Sequence, residues 1–345
     1  MHQGATDLIT MFDSLKSPGP DPEEIHFSAN PLPNRRHDFL AKGRDGQPAL
    51  LISACGATEV RPPSIGLQHL MVDHGLECRV RQETGAAITG TFSVVRCVDA
   101  DRLLQGYFLR ALVPVIDSLP AAPSYSDIAR PVNALAELFR RLALPARKPI
   151  QGLWAELCMI AISRDPNALI AAWHATPEDR YDFSAASERI EVKSSSGSVR
   201  VHHFSFEQLN PPECVRILVA SVFANEAGNG TSVFDLVDKI RYRVNHEAQL
   251  VERVDQIVAA TLGSSWRHAG NVRFDFEEAT SSLRYYEPSK IPSIRGPIPN
   301  GVSMVRYQSD LTAANPTALS SIPPSCQLLR ALGEAGDSEE GRGES

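Results

Sequence analysis

The segment YDFSAASERIEVKSSS, residues 181–196, constrains this chain more than any other. It holds two short apolar runs separated by a small polar turn, the pattern of a β-hairpin. In the second run Ile190 and Val192 alternate with Glu191 and Lys193. Side chains alternate along a strand, so a β-branched pair facing a core pins the register and sends Glu191 and Lys193 to the opposite face together. A turn at residues 185–188 would bring Asp182 beside Glu191.

Two carboxylates held together repel unless a cation lies between them. Mg²⁺ takes octahedral oxygen ligands and keeps several waters, and the carbonyl of Val192 could add one more oxygen beside Asp182 and Glu191. Such an ion polarises a phosphoryl oxygen and acidifies water. Lys193 could orient the attacking water and offset charge developing on phosphate. Upstream, IQGLWAELCMIAISR has helical spacing, with Leu153, Leu157 and Ile160 in a stripe widened by Trp154 and Ala161. Glu156 lies at the edge of that stripe, where a carboxylate loses water and needs a partner. Metal, Lys193 or a water would each serve.

The plain alternatives carry weight. A lone Glu-x-Lys arises by chance about once in a chain this long, and alone would be a charge pair on an edge strand. Asp182, nine residues upstream across a turn, sets this occurrence apart. His202 and His203 are adjacent and point to opposite faces of a strand, so at most one looks inward, and a structural role is the simpler reading. Ser205 and Gln208 fit a capping box. Residues 194–198, SSSGS, read first as a flexible turn. Walker, GxGxxG and HExxH motifs are absent from the sequence.

The order GLWAEL, Trp173, YDF, IEVKSSS, HHFSFEQL resembles a bacterial PD-(D/E)xK family. The likeness covers roughly residues 148–225 and extends toward 310. It implies a restriction-endonuclease-like core in which Glu156 is the helix acid, Asp182 the metal-binding Asp, Glu191 the second acid and Lys193 the lysine. Tyr181 stands where that pattern often has Pro. The resemblance also implies DNA as substrate and a place in restriction or phage defence.

The expected fold class is therefore α/β (α+β): a restriction-endonuclease-like mixed sheet flanked by helices, preceded by a mostly β N-terminal domain. Residues 1–37, rich in Pro and charge toward their end, read as an arm or loop. Residues 38–120 read as the β domain, with YFLRALVPVI among its apolar segments. Residues 121–147 read as a linker and a helix, 148–310 as the nuclease-like core, and 311–345 as a disordered acidic tail. Asn245 and Gly263 are expected to bound an amphipathic helix. Residues 38–145 carry no catalytic pattern and are assigned target recognition or dimer contacts.

Charge does not decide the partner. The net charge is −7 over 345 residues. Residues 1–25 and 331–345 each carry five acids against one base, leaving the body near neutral, and a neutral body can still present a basic face to DNA. Six scattered cysteines without a CxxC pair argue against structural zinc and disulfides and fit a reducing cytoplasm. No apolar run is long enough to span a bilayer. The expectation is a cytoplasmic Mg²⁺-dependent (or Mn²⁺-dependent) DNA endonuclease, acting as a homodimer or within a larger defence complex. Its rivals are a non-catalytic DNA-binding or scaffolding subunit of the same fold, and a metal-dependent hydrolase of small molecules.

Overall fold

The computed structural model describes residues 3–19, 26–33, 35–55, 60–83, 85–146, 148–174, 179–244 and 247–333. The chain divides into two compact units, residues 1–145 and 146–345.

The first unit runs α1 (Gln3–Ser14), β1 (Phe27–Leu32), β2 (Arg35–Gly43), β3 (Pro48–Ile52), β4 (Ile65–Gly66), β5 (Leu70–Gln82), β6 (Ala87–Cys97), α2 (Arg102–Ser118) and α3 (Tyr125–Leu142). Strands β1-β2-β3-β6-β5 are neighbours in that order, and β1 also pairs in parallel with β5, closing a five-stranded barrel. Phe27, Phe39, Leu51, Val80, Phe92 and Val94 fill it.

Three readings of this unit need correction. The supposed arm, residues 1–37, contains α1 and β1. Phe12 and Leu15 are buried, and Lys42 lies over the Phe12 ring while donating to the Leu15 carbonyl. The segment YFLRALVPVI belongs to α2, because Leu104, Phe108, Leu112 and Val115 recur at helical spacing and are buried. The stretch read as a linker contains the start of α3, where Ser124 precedes Tyr125 as the cap and forms a capping box with Asp127 in the first turn.

The second unit runs α4 (Ile150–Ile162), α5 (Pro166–Ala172), β7 (Phe183–Ala185), β8 (Glu188–Ser195), β9 (Val201–Ser205), α6 (Phe206–Leu209), β10 (Arg216–Phe223), β11 (Glu226–Thr231), α7 (Val233–Arg243), α8 (Ala248–Leu262), α9 (Trp266–Ala269), α10 (Phe276–Ser282), β12 (Arg284–Tyr286), β13 (Arg306–Asp310) and α11 (Gln327–Arg330). Its sheet has the order β12-β10-β8-β7. It is mixed: β8 and β10 are parallel, and the two outer pairings are antiparallel. Strand β9 pairs with β13 in a separate ribbon. Gly230 in β11 is required by close approach, since a Cβ there would meet the Phe274 carbonyl oxygen at 2.3 Å.

Ser232 and Asp235 cap α7 in a reciprocal box, and Gly263 ends α8 with a positive φ of 46°. Asn245, expected to cap α8, lies outside the described residues; Glu247 holds the cap position.

The tail reading is corrected as far as residue 333. Leu328, Leu329 and Leu332 are buried, the Leu329 N–H donates to Glu188 on β8 at 3.0 Å, and the Tyr285 hydroxyl donates to the Gly333 carbonyl. The average composition of the tail hid this apolar cluster. Residues 334–345 lie outside the described residues.

Candidate metal centre

The hairpin builds the site. Ala185 pairs with Glu188 and Phe183 with Ile190, leaving Ala186 and Ser187 as the turn. Ala186 takes the positive φ, 45°, that such a two-residue turn demands of its first central residue. This register carries Asp182 level with Glu191. Asp182 Oδ2 accepts from the Val192 N–H at 2.8 Å. The N–H and C=O of one residue in an extended strand leave by the same edge, so the Val192 carbonyl also points to the Asp182 edge of β8. Strand pairing there has ended at Phe183–Ile190.

Helix α4 brings Glu156. Residues 153–161 are buried throughout, and Glu156 is only 2% exposed. Its Oε2 accepts from Trp173 Nε1 at 2.7 Å and its Oε1 from Lys148 Nζ at 2.8 Å. Trp173 closes α5, stacks on Phe183 and has its carbonyl held by Arg253. Lys148 Nζ also donates to Asp182 Oδ1 at 2.7 Å, bridging the two acids. Lys193 Nζ donates to Glu191 Oε1 at 2.5 Å and lies 5.2 Å from the centre of the Phe204 ring. The partner of Glu156 is thus Lys148, where Lys193 had been one of the expected candidates.

Electrostatics sort the three acids. Burial lifts Glu156 to about 8 and Glu191 to about 7; Asp182 adds its repulsion to each, and the lysines partly oppose. Burial also pushes Asp182 up, but Lys148, the Val192 N–H and Lys193 outweigh it and hold the carboxyl below its ordinary value. Lys148 is raised, because Asp182 and Glu156 together outweigh its loss of water. Among the described residues Glu191 Oε2, though buried, has no hydrogen-bond partner.

Two participants were missed in the sequence. His174 donates its backbone N–H to the Asp182 carbonyl at 2.9 Å, and its Nδ1 lies 3.7 Å from Glu156 Oε2. Glu156, His174 and Asp182 offer three ligand atoms within 4.8 Å of one another. Lys148 had one local signal: a cation just before a helix N-terminus opposes the helix dipole unless acids hold it there. No local signal marks His174.

The other candidates fall outside the centre or behind it. His202 is buried with Nε2 2.7 Å from Ser221 Oγ, while His203 is exposed on the other face. Ser205 and Gln208 form the capping box of α6.

A family model described as "Putative PD-(D/E)XK family member, (DUF4420)" matches residues 9–312. The chain belongs to this family. The mixed sheet with its flanking helices is the restriction-endonuclease-like fold that PD-(D/E)XK membership entails. The family match also reaches through the barrel unit. No curated protein and no solved structure matches the chain. Among the described residues, no helix is long and apolar enough to cross a membrane.

Proposed function

We propose that this PD-(D/E)XK protein is a divalent-metal-dependent DNA endonuclease that hydrolyses phosphodiester bonds in a restriction or phage-defence setting. The observation that carries the reading is the Glu191 carboxylate, which feels the repulsion of Asp182 and whose Oε2 is buried without a hydrogen-bond partner among the described residues. An orphaned carboxylate oxygen beside a second carboxylate fits a hard cation better than it fits a packed core.

Asp182, Glu191 and the Val192 carbonyl would hold Mg²⁺ or Mn²⁺, an oxygen donor set suited to either. Bound there, the ion would polarise a phosphoryl oxygen and acidify water. Glu191 and the Phe204 ring hold the Lys193 ammonium in place. Lys193 is then set to orient the attacking water and to offset negative charge as it grows on the phosphate. Before metal binds, Glu156, fixed by Trp173, is tied to Asp182 through their shared lysine. The barrel unit is assigned target recognition or dimer contacts. One centre per chain cuts two strands most simply as a C2 dimer.

The test is cleavage of plasmid DNA by purified protein with Mg²⁺ or Mn²⁺, beside EDTA and Asp182→Ala controls. Nicking or linearisation only in the metal-containing wild-type reactions supports the reading. DNA binding without cleavage under any metal would favour a non-catalytic subunit of the same fold.

A further inference from the structure

We infer that Lys148 is a resident counter-cation which a divalent metal must evict: in the metal-free protein its ammonium holds the position between Glu156 and Asp182 and competes with metal for Asp182. This rests on the metal-dependent reading above.

Both oxygens of Asp182 are engaged, Oδ2 by the Val192 N–H and Oδ1 by Lys148. Each oxygen keeps a further lone pair, so a metal recruited through Oδ1 would share that oxygen with the Lys148 ammonium. A divalent ion and an ammonium on one oxygen repel strongly in a site sheltered from water.

The two lysines differ in their freedom to leave. The Lys193 side chain is 19% exposed and is confined by Glu191 and the Phe204 ring. The Lys148 side chain is 36% exposed, with both its hydrogen-bonded partners on the inner side. It precedes the first turn of α4, where the helix dipole gives a cation no support. Among the described residues its departure breaks two ion pairs and no secondary structure. It would free Asp182 Oδ1 for the ion, with ligand atoms of Glu156 and His174 within 4.8 Å of Asp182.

The experiment measures Mn²⁺ affinity by calorimetry for wild type, Lys148→Gln and Lys148→Met. Both variants are expected to bind at least tenfold more tightly than wild type. A second measurement needs no variant. Reductive methylation of Lys148 in the wild-type protein, followed by mass spectrometry, should quicken several-fold with Mn²⁺ and slow again with EDTA. Equal or weaker Mn²⁺ binding in folded Lys148 variants, or labelling unmoved by Mn²⁺, overturns the counter-cation role while wild-type Mn²⁺ binding leaves the metal reading standing. Absence of Mn²⁺ binding in wild type and both variants overturns the two together.

Discussion

The carboxylate of Asp182 accepts a 2.8 Å hydrogen bond from the backbone N–H of Val192, across the open edge of β8. One side chain thereby does the work of a missing strand partner and fixes its own second oxygen in the centre. Replacing Asp182 by Asn keeps an acceptor for that N–H and removes the charge. The variant should fold with a melting temperature near that of wild type, and its Mn²⁺ affinity should fall by about 10²-fold, equivalent to about 2.7 kcal/mol. Calorimetry giving wild-type affinity for Asp182→Asn would remove Asp182 from the metal ligands.

His202 gives the fold an acid-sensitive point. Burial, with Lys193 and Arg200 nearby, pushes its pKa down to about 4, so it is neutral in the folded protein. The unfolded chain binds a proton near pH 6.5. Between these values the unfolded state holds more protons, so stability is lost as pH falls from 6.5 toward 4. The loss is on the order of 3 kcal/mol at most. His202→Gln, which can still bond Ser221 Oγ, should flatten this acid limb in urea titrations. An unchanged limb would show that His202 does not titrate as its burial dictates.

The tail offers a packing test. Leu329 is fully buried and its N–H is held by Glu188 of β8. Leu329→Ala should lower stability by about 2–5 kcal/mol, as truncating a buried leucine does. A change below about 0.5 kcal/mol in denaturant unfolding would mean the segment adds nothing to the core.

Much of the site was legible because its signals are local. The alternation of Ile190 and Val192 with Glu191 and Lys193 sets the strand and its faces, and the turn spacing places Asp182 level with Glu191. The stripe spacing puts Glu156 at an edge, whereas α4 is buried on all sides from residue 153 to 161 and the carboxylate meets Lys148 and Trp173 inside. Lys148 lies eight residues before Glu156, but its bridge to Asp182 spans 34 residues, and no periodicity records such a contact. Trp173 and His174 depend in the same way on where α5 ends against β7. The errors in the fold share another cause. The apolar residues of α2 sit among Gly106 and Pro114, which dilute a helical pattern, and Leu328, Leu329 and Leu332 follow a run of Pro and Ser. Composition averages over windows longer than these clusters.

Lys193 separates an active nuclease from a binding subunit. If it acts on the attacking water or on the phosphate, its effect belongs to the transition state. Lys193→Ala should slow single-turnover cleavage by about 10²-fold or more. DNA affinity should change little, because one phosphate contact among several alters the salt slope by only about one unit. Lys193→Arg should restore only part of the rate. The Lys193 ammonium is a compact charge that fits between Glu191 and the Phe204 ring, whereas a guanidinium is a broad planar fork. Glu191 would also lose its close partner in the alanine variant, so Mn²⁺ affinity must be measured on the same protein. A cleavage loss with Mn²⁺ binding retained assigns the effect to Lys193 itself. Cleavage undiminished in Lys193→Ala would take the residue out of the mechanism and leave its pairing with Glu191 as a structural contact.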